Sequence, residues 1–166
     1  EEVTSAGGFG HIQKGHGVSF ADLDNDGDQD IYAVLGGAYE GDNYTNVCFE
    51  NPTFENNWVI LDLEGVESNR SAIGTKLKLD LDNGRTIFYS INTGGSFGAN
   101  SLQGEIGLGQ SELIQTLTII WPSSDTQIFN SVGVNKKYKL AEGQNKLIEE
   151  PYEKVQLLSK ELIHHK

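Results

Sequence analysis

The chain has 166 residues and a net charge of −12, from 24 acidic and 12 basic side chains. Such a surface argues against partners that present phosphate backbones or anionic headgroups, because those need basic residues opposite them. No apolar run reaches the roughly 20 residues of a membrane-spanning helix, and one cysteine leaves no internal disulfide framework.

The first sixteen residues are Gly-rich and read as tight turns leading into a strand. His16 stands between two glycines, and a structural role is expected for it, because hard cations prefer oxygen to nitrogen. Residues 17–21 and 31–35 are rich in β-branched and aromatic side chains, so each reads as a strand. Between them lies Asp22-Leu-Asp24-Asn-Asp26-Gly27-Asp28-Gln-Asp30, five aspartates at alternate positions within nine residues. Their mutual repulsion opposes a compact loop unless a cation neutralises it. Oxygens at loop positions 1, 3, 5, 7 and 9, with glycine at position 6, are the pattern of a calcium loop. Asp22, Asp24, Asp26 and Asp30 are expected to ligate Ca2+ through carboxylates and Asp28 through its backbone carbonyl. The loop is not an EF-hand: at position 12 counted from Asp22, where that motif needs a bidentate glutamate, stands Ala33.

A polar, turn-rich connection carrying Tyr39 follows, and residues 45–49 read as a third strand holding Cys48, expected as a buried thiol. Residues 58–63 form another apolar strand. Residues 75–81 alternate, with Leu77, Leu79 and Leu81 on one face and Lys76, Lys78 and Asp80 on the other, as in a half-buried strand. Asp82-Asn-Gly84 then predicts a type I′ hairpin turn into a strand at 86–91. Further strands are expected at 101–108, 115–121, 126–129, 136–140 and 145–148, so this part reads as a β-sandwich or barrel-like unit. Trp58 and Trp121, inside apolar strands, are expected in the core. From Pro151 onward, Tyr152, Val155, Leu157, Leu158 and Leu162 recur at helical spacing, which predicts a short amphipathic helix.

Taken together, the motifs resemble two known families. The stretch from Gly15 to Tyr32 around the aspartates is similar to an FG-GAP/VCBS repeat. Asn57-Trp58, Ser68-Asn-Arg-Ser-Ala-Ile-Gly74, Gly94-Gly-Ser-Phe97, Gly107-Leu-Gly109 and Ile119-Ile-Trp-Pro122 make residues 57–149 resemble the ASPIC/UnbV domain of bacterial surface proteins and cartilage acidic protein. The first resemblance implies one blade of a calcium-bearing β-propeller, with Asp22, Asp24, Asp26, Asp28 and Asp30 as its ligands and the remaining blades upstream of this chain. The expected organisation is a calcium-binding repeat over 1–52, an ASPIC/UnbV β domain over 53–150 and a helical tail over 151–166.

For function, no Gly-x-Ser-x-Gly elbow, Cys–His pair or zinc ligand set is present in the sequence. The expectation is a non-catalytic extracellular, cell-surface or periplasmic module for adhesion or binding of a protein or glycan, with calcium as a structural staple. The alternatives are a glycan-binding module or an accessory domain of a metal-dependent hydrolase. Tyr39, Tyr44 and Arg70 are the candidate ligand contacts, the two tyrosines because they flank the calcium loop on a Gly-rich connection.

Overall fold

In a computed structural model, described for residues 10, 14–37, 39–41, 44–51, 55–95 and 97–156, all regular structure is β. The leucine alternation places Leu77, Leu79 and Leu81 of strand β5 (Lys76–Leu81) fully inside. β5 pairs antiparallel with β6 (Thr86–Ser90) on one side and β8 (Leu113–Ile120) on the other, and β8 pairs with β9 (Thr126–Gly133). The second sheet runs β11 (Ile148–Glu150), β10 (Lys136–Ala141), β4 (Asn57–Glu64), β7 (Gly104–Gly109), with β10 parallel to β4. The two four-stranded sheets enclose one apolar core. Val59, Leu61 and Leu63 of β4, Ile106 and Leu108 of β7 and Leu140 of β10 contribute from one side. Leu77, Leu79, Ile114, Leu117 and Ile119 contribute from the other. Removing each such side chain from water is worth about 1.5–3 kcal/mol. The result is a sandwich-like fold, and no barrel closes.

A third sheet stands apart from this core, in the order β1 (Gly15–Ala21), β2 (Asp30–Leu35), β3 (Val47–Phe49). Its registers put Phe20, Ile31 and Phe49 on one face and Ser19, Tyr32 and Cys48 on the other. Cys48 is therefore exposed, against the expectation of a buried thiol, because β3 is an edge strand whose outward face nothing covers among the described residues. Residues 97–100, at the end of a Gly-rich run, lie along the free edge of β1. Asn100 Oδ1 accepts the Phe20 amide at 3.1 Å. A Cβ on Gly98 would stand 2.2 Å from the Val18 carbonyl oxygen, so only glycine permits this approach.

Several expectations need correction. The 81–85 hairpin is not type I′: the Gly84 amide donates to the Leu81 carbonyl and only Gly84 has positive φ (81°), which is a type I turn followed by a left-handed glycine. Trp121 is a core residue, with Nε1–H donated to Gln127 Oε1 at 2.6 Å, but Trp58 is not. The last strand spans Ile148–Glu150 rather than 145–148, because its pairing with β10 begins at Lys139 opposite Ile148. Residues 151–156 have no regular secondary structure and are not helical, and the rest of the expected helix lies outside the described residues.

Glu142, 6 % exposed, is the polar hinge of the sandwich. Its Oε2 accepts the amides of Val66, Glu67 and Ser68 at 2.7–2.9 Å, and Oε1 accepts the hydroxyls of Ser68 and Ser123. Burial alone would raise this carboxyl, but the hydrogen bonds from Ser123, Ser68 and Val66 outweigh it and hold the group at about 2. Because the folded value lies below the ordinary carboxylate value of 4.5, the stability this group supplies is present above pH 4.5 and lost as pH falls toward 2. Glu142→Gln is expected to lower unfolding stability by about 2–4 kcal/mol at pH 7, with a shrinking deficit below pH 4, measured by urea denaturation.

Candidate metal centre

The aspartate loop connects adjacent antiparallel strands, and its ends are fixed by the Ala21–Asp30 pair of the β1–β2 ladder. Within it, side chains and amides fold the loop inward. Asp22 accepts the Asp26 amide on Oδ1 (3.0 Å) and the Gly27 amide on Oδ2 (2.8 Å), while Asp26 Oδ1 accepts the Asp28 amide (3.2 Å). Asp30 accepts the Leu23 amide on one oxygen (3.1 Å) and the Asn51 amide on the other (2.8 Å). Asn25 and Gly27 take positive φ values of 60° and 98° to let the chain curl.

These bonds bring carboxylate oxygens of Asp22, Asp24 and Asp30 within 4.8 Å of one another. Asp24 is 2 % exposed and Asp30 is 1 % exposed. Asp24 Oδ1 and both carboxylate oxygens of Asp28 are buried and have no hydrogen-bond partner among the described residues. Asp26 and Asp28 fall outside the convergent trio. The Asp28 side chain nevertheless points into the negative field rather than away from it: burial first, then the charges of Asp26, Asp30, Asp22 and Asp24, push its carboxyl up to about 6. Burial likewise raises Asp22, against the opposing hydrogen bonds from Gly27 and Tyr152.

The sandwich holds this loop from below through the outer face of β4 and β7. A Cβ on Gly27 would stand 1.8 Å from the Trp58 indole nitrogen, so Gly27 serves both the backbone turn and the seating of the indole. Glu105 Oε2, on β7, accepts the Asp22 amide at 3.3 Å and the Gln29 side-chain amide at 3.1 Å. From above, the irregular segment 151–156 crosses the loop. Tyr152 donates its hydroxyl to Asp22 Oδ2 (3.0 Å), and its ring packs tilted against Trp58 with centroids 5.5 Å apart. Lys154 Nζ lies 2.7 Å from Asp26 Oδ2 and 3.2 Å from Asp24 Oδ2. Burial and the Asp22 charge push the Tyr152 phenol up, and the carboxylates of Asp26 and Asp24 push the Lys154 ammonium up.

Beside the loop is a cleft of about 250 Å³, lined by Asp26, Asp28, Gln29, Asn51, Trp58 and Glu105 among others. Tyr39 and Tyr44 line neither this cleft nor a second hollow, of about 410 Å³, at Arg70 and Lys139. Tyr39 is largely exposed. Arg70 pairs with Glu64 at 3.3 Å and its carbonyl accepts the Gly65 amide, so it braces its own loop. His16 donates from Nε2 to the Gly36 carbonyl, spanning the start of β1 and the end of β2. Trp58, Glu105, Tyr152 and Lys154 carry no motif that marks them as neighbours of the loop. The only usable signal is the i, i+2 spacing of Tyr152 and Lys154, which puts both on one side of an extended chain.

An all-β sandwich with an acidic strand-to-strand loop docked on one outer face is the class that this geometry defines. The family model described as ASPIC and UnbV matches residues 65–147, and the chain belongs to that family. The match covers β5 to β10 and not the aspartate loop. The comparison with curated proteins returns no match. Among the described residues no helix is long and apolar enough to cross a membrane.

The raised Asp28 carboxyl sets a pH dependence for the metal-free loop. With its folded value near 6 above the ordinary 3.8, the group favours the folded state at low pH, and that contribution is lost as pH rises through 6. A cation held by the trio would reverse the preference by favouring the ionised form. If a divalent cation binds here, the stabilisation it gives is expected to grow between pH 5 and pH 7.5, measured as the difference in melting temperature with and without the added ion.

Proposed function

We propose that this chain is a calcium-stabilised, non-catalytic extracellular module for adhesion or ligand binding, in which an FG-GAP/VCBS-type propeller repeat is docked on the ASPIC/UnbV domain. The observation that carries the reading is the buried, unpartnered Oδ1 of Asp24 inside a trio of carboxylates. A buried carboxylate oxygen without a donor is costly, and a cation in the trio removes that cost. All the donors are oxygens, which suits a hard cation such as Ca2+ rather than zinc or copper. Asp22, Asp24 and Asp30 would hold the ion, with Asp26 and Asp28 close enough in sequence to complete its shell.

The role assigned to calcium is structural. The loop joins two paired strands and has no helix pair to open, unlike a sensor site. Millimolar extracellular calcium would keep such a site filled, which supports the localisation. The apolar side chains of Tyr32 and Val34, both about 40 % exposed on one face of the three-stranded sheet, suit packing against a neighbouring propeller blade. Isothermal titration with calcium should return one site per chain, and absence of heat at millimolar calcium would remove the reading.

Glycan binding is a second reading, favoured by the cleft. Its amides, carboxylates and one indole are the side chains that hydrogen-bond and stack on a sugar ring, and it opens directly beside Asp26 and Asp28.

A further inference from the structure

The tail carries a fixed positive charge into the aspartate loop. Lys154 Nζ bonds Asp26 Oδ2 and Asp24 Oδ2, whose side chains are 4 % and 3 % exposed. Its position is not that of a free surface lysine, because the backbone on both sides is tied down. The Val155 amide donates to the Asp24 carbonyl, Asn25 Nδ2 donates to the Glu153 carbonyl at 3.2 Å, and Tyr152 is held by Asp22 and by Trp58. The ammonium occupies one oxygen of Asp24 and leaves Oδ1, the buried one, unpartnered. Asp24 thus binds the tail through one oxygen and keeps the other buried and without a donor.

We propose that Lys154 is an internal counter-cation that sets the calcium affinity of the loop: it keeps the metal-free loop folded and, by the same charge, weakens the bound ion. The inference rests on the calcium reading and adds its regulation. Five aspartates within nine residues repel one another, and an ammonium at hydrogen-bond distance from two of them relieves part of that repulsion before any ion arrives. Once a dication sits among Asp22, Asp24 and Asp30, the ammonium shares the Asp24 carboxylate with it and repels it at short range, screened in part by the solvent that reaches the Lys154 side chain, 58 % exposed. Tyr152 differs in kind. Its hydroxyl is neutral and orients Asp22 without adding charge, so it acts as a positioning residue. Docking of the tail and binding of the ion are consequently coupled with opposite sign through Lys154, and the coupling is reciprocal.

The test compares wild type, Lys154→Met and Lys154→Arg. Calcium titration calorimetry at pH 7.5 is paired with melting in excess chelator. Lys154→Met keeps the aliphatic stem and removes the charge, and it is expected to bind calcium about tenfold more tightly while melting lower than wild type in chelator. Lys154→Arg, which keeps the charge, is expected to stay within about threefold of wild type. Calcium binding by Lys154→Met alone overturns the calcium reading for the native chain, and the proposal with it. Wild-type binding with equal or weaker binding by Lys154→Met overturns the proposal and leaves the calcium reading standing, as does an unchanged melting temperature in chelator. Binding by none of the three overturns both.

Discussion

Saturating calcium is expected to raise the melting temperature of this protein by about 5–10 °C, and Asp24→Ala to abolish the rise. The size follows from linkage: an ion at a hundred times its Kd stabilises by about 2.7 kcal/mol, and a chain of this length gains about 2–4 °C per kcal/mol. Asp24 is the side chain to remove because its inward oxygen is buried and unpartnered, so no protein group compensates for it. Its loss also relieves repulsion within the trio, so the Asp24→Ala protein in chelator should not melt far below wild type. What it loses is the response to calcium. Scanning fluorimetry with and without chelator measures both quantities, and a full calcium response in Asp24→Ala would move the site away from this loop.

Gly27→Ala is expected to be the most damaging single substitution near the site, at about 3–5 kcal/mol. Two costs combine. The residue has φ 98°, which an L side chain rarely adopts, and its new Cβ would stand 1.8 Å from the Trp58 indole nitrogen. The loop then lifts from β4 or distorts, and either change disperses the carboxylates, so calcium stabilisation should vanish with the stability. Trp58→Ala removes the steric cost but leaves the backbone cost. The double variant should therefore be less destabilised than the sum of the singles, by about 1–2 kcal/mol in urea denaturation. Strict additivity would show that Gly27 and Trp58 do not meet.

The parts of this fold that were legible in the sequence are those set by local periodicity. The leucines of 76–81 and the apolar runs of β4 and β8 announce two-residue repeats, and the core follows from them. The alternate aspartates announce a turn closing on a common centre, and Asp22, Asp24 and Asp30 do converge. The illegible parts are those where distant chain segments decide. The spacing of Tyr152 and Val155 is helical, yet the segment is not a helix: Asp22, Asp24 and Asp26 instead bind its hydroxyl, amide and ammonium. Trp58 reads as a core residue because its strand is apolar. It lies instead at the start of β4, on the side away from Val59, where Gly27 leaves room for it. Glu142 looks like one residue of a polar turn, and only the sandwich reveals that three amides and two hydroxyls converge on it.

These relations make the aspartate loop the joint of the molecule. The three-stranded sheet, the outer face of β4 and β7, and the tail all meet there, through Trp58, Glu105, Tyr152 and Lys154. A cation at this joint would stabilise their arrangement as well as its own loop, which is why removal of one carboxylate is expected to reach so far.

The most direct measurement is a crystal structure of the protein grown with calcium, with anomalous scattering used to identify the ion. The account predicts one calcium with oxygens of Asp22, Asp24 and Asp30 at about 2.3–2.6 Å, the buried Asp24 Oδ1 among them. A loop that keeps its aspartates splayed at millimolar calcium, or that holds only water between them, would contradict it.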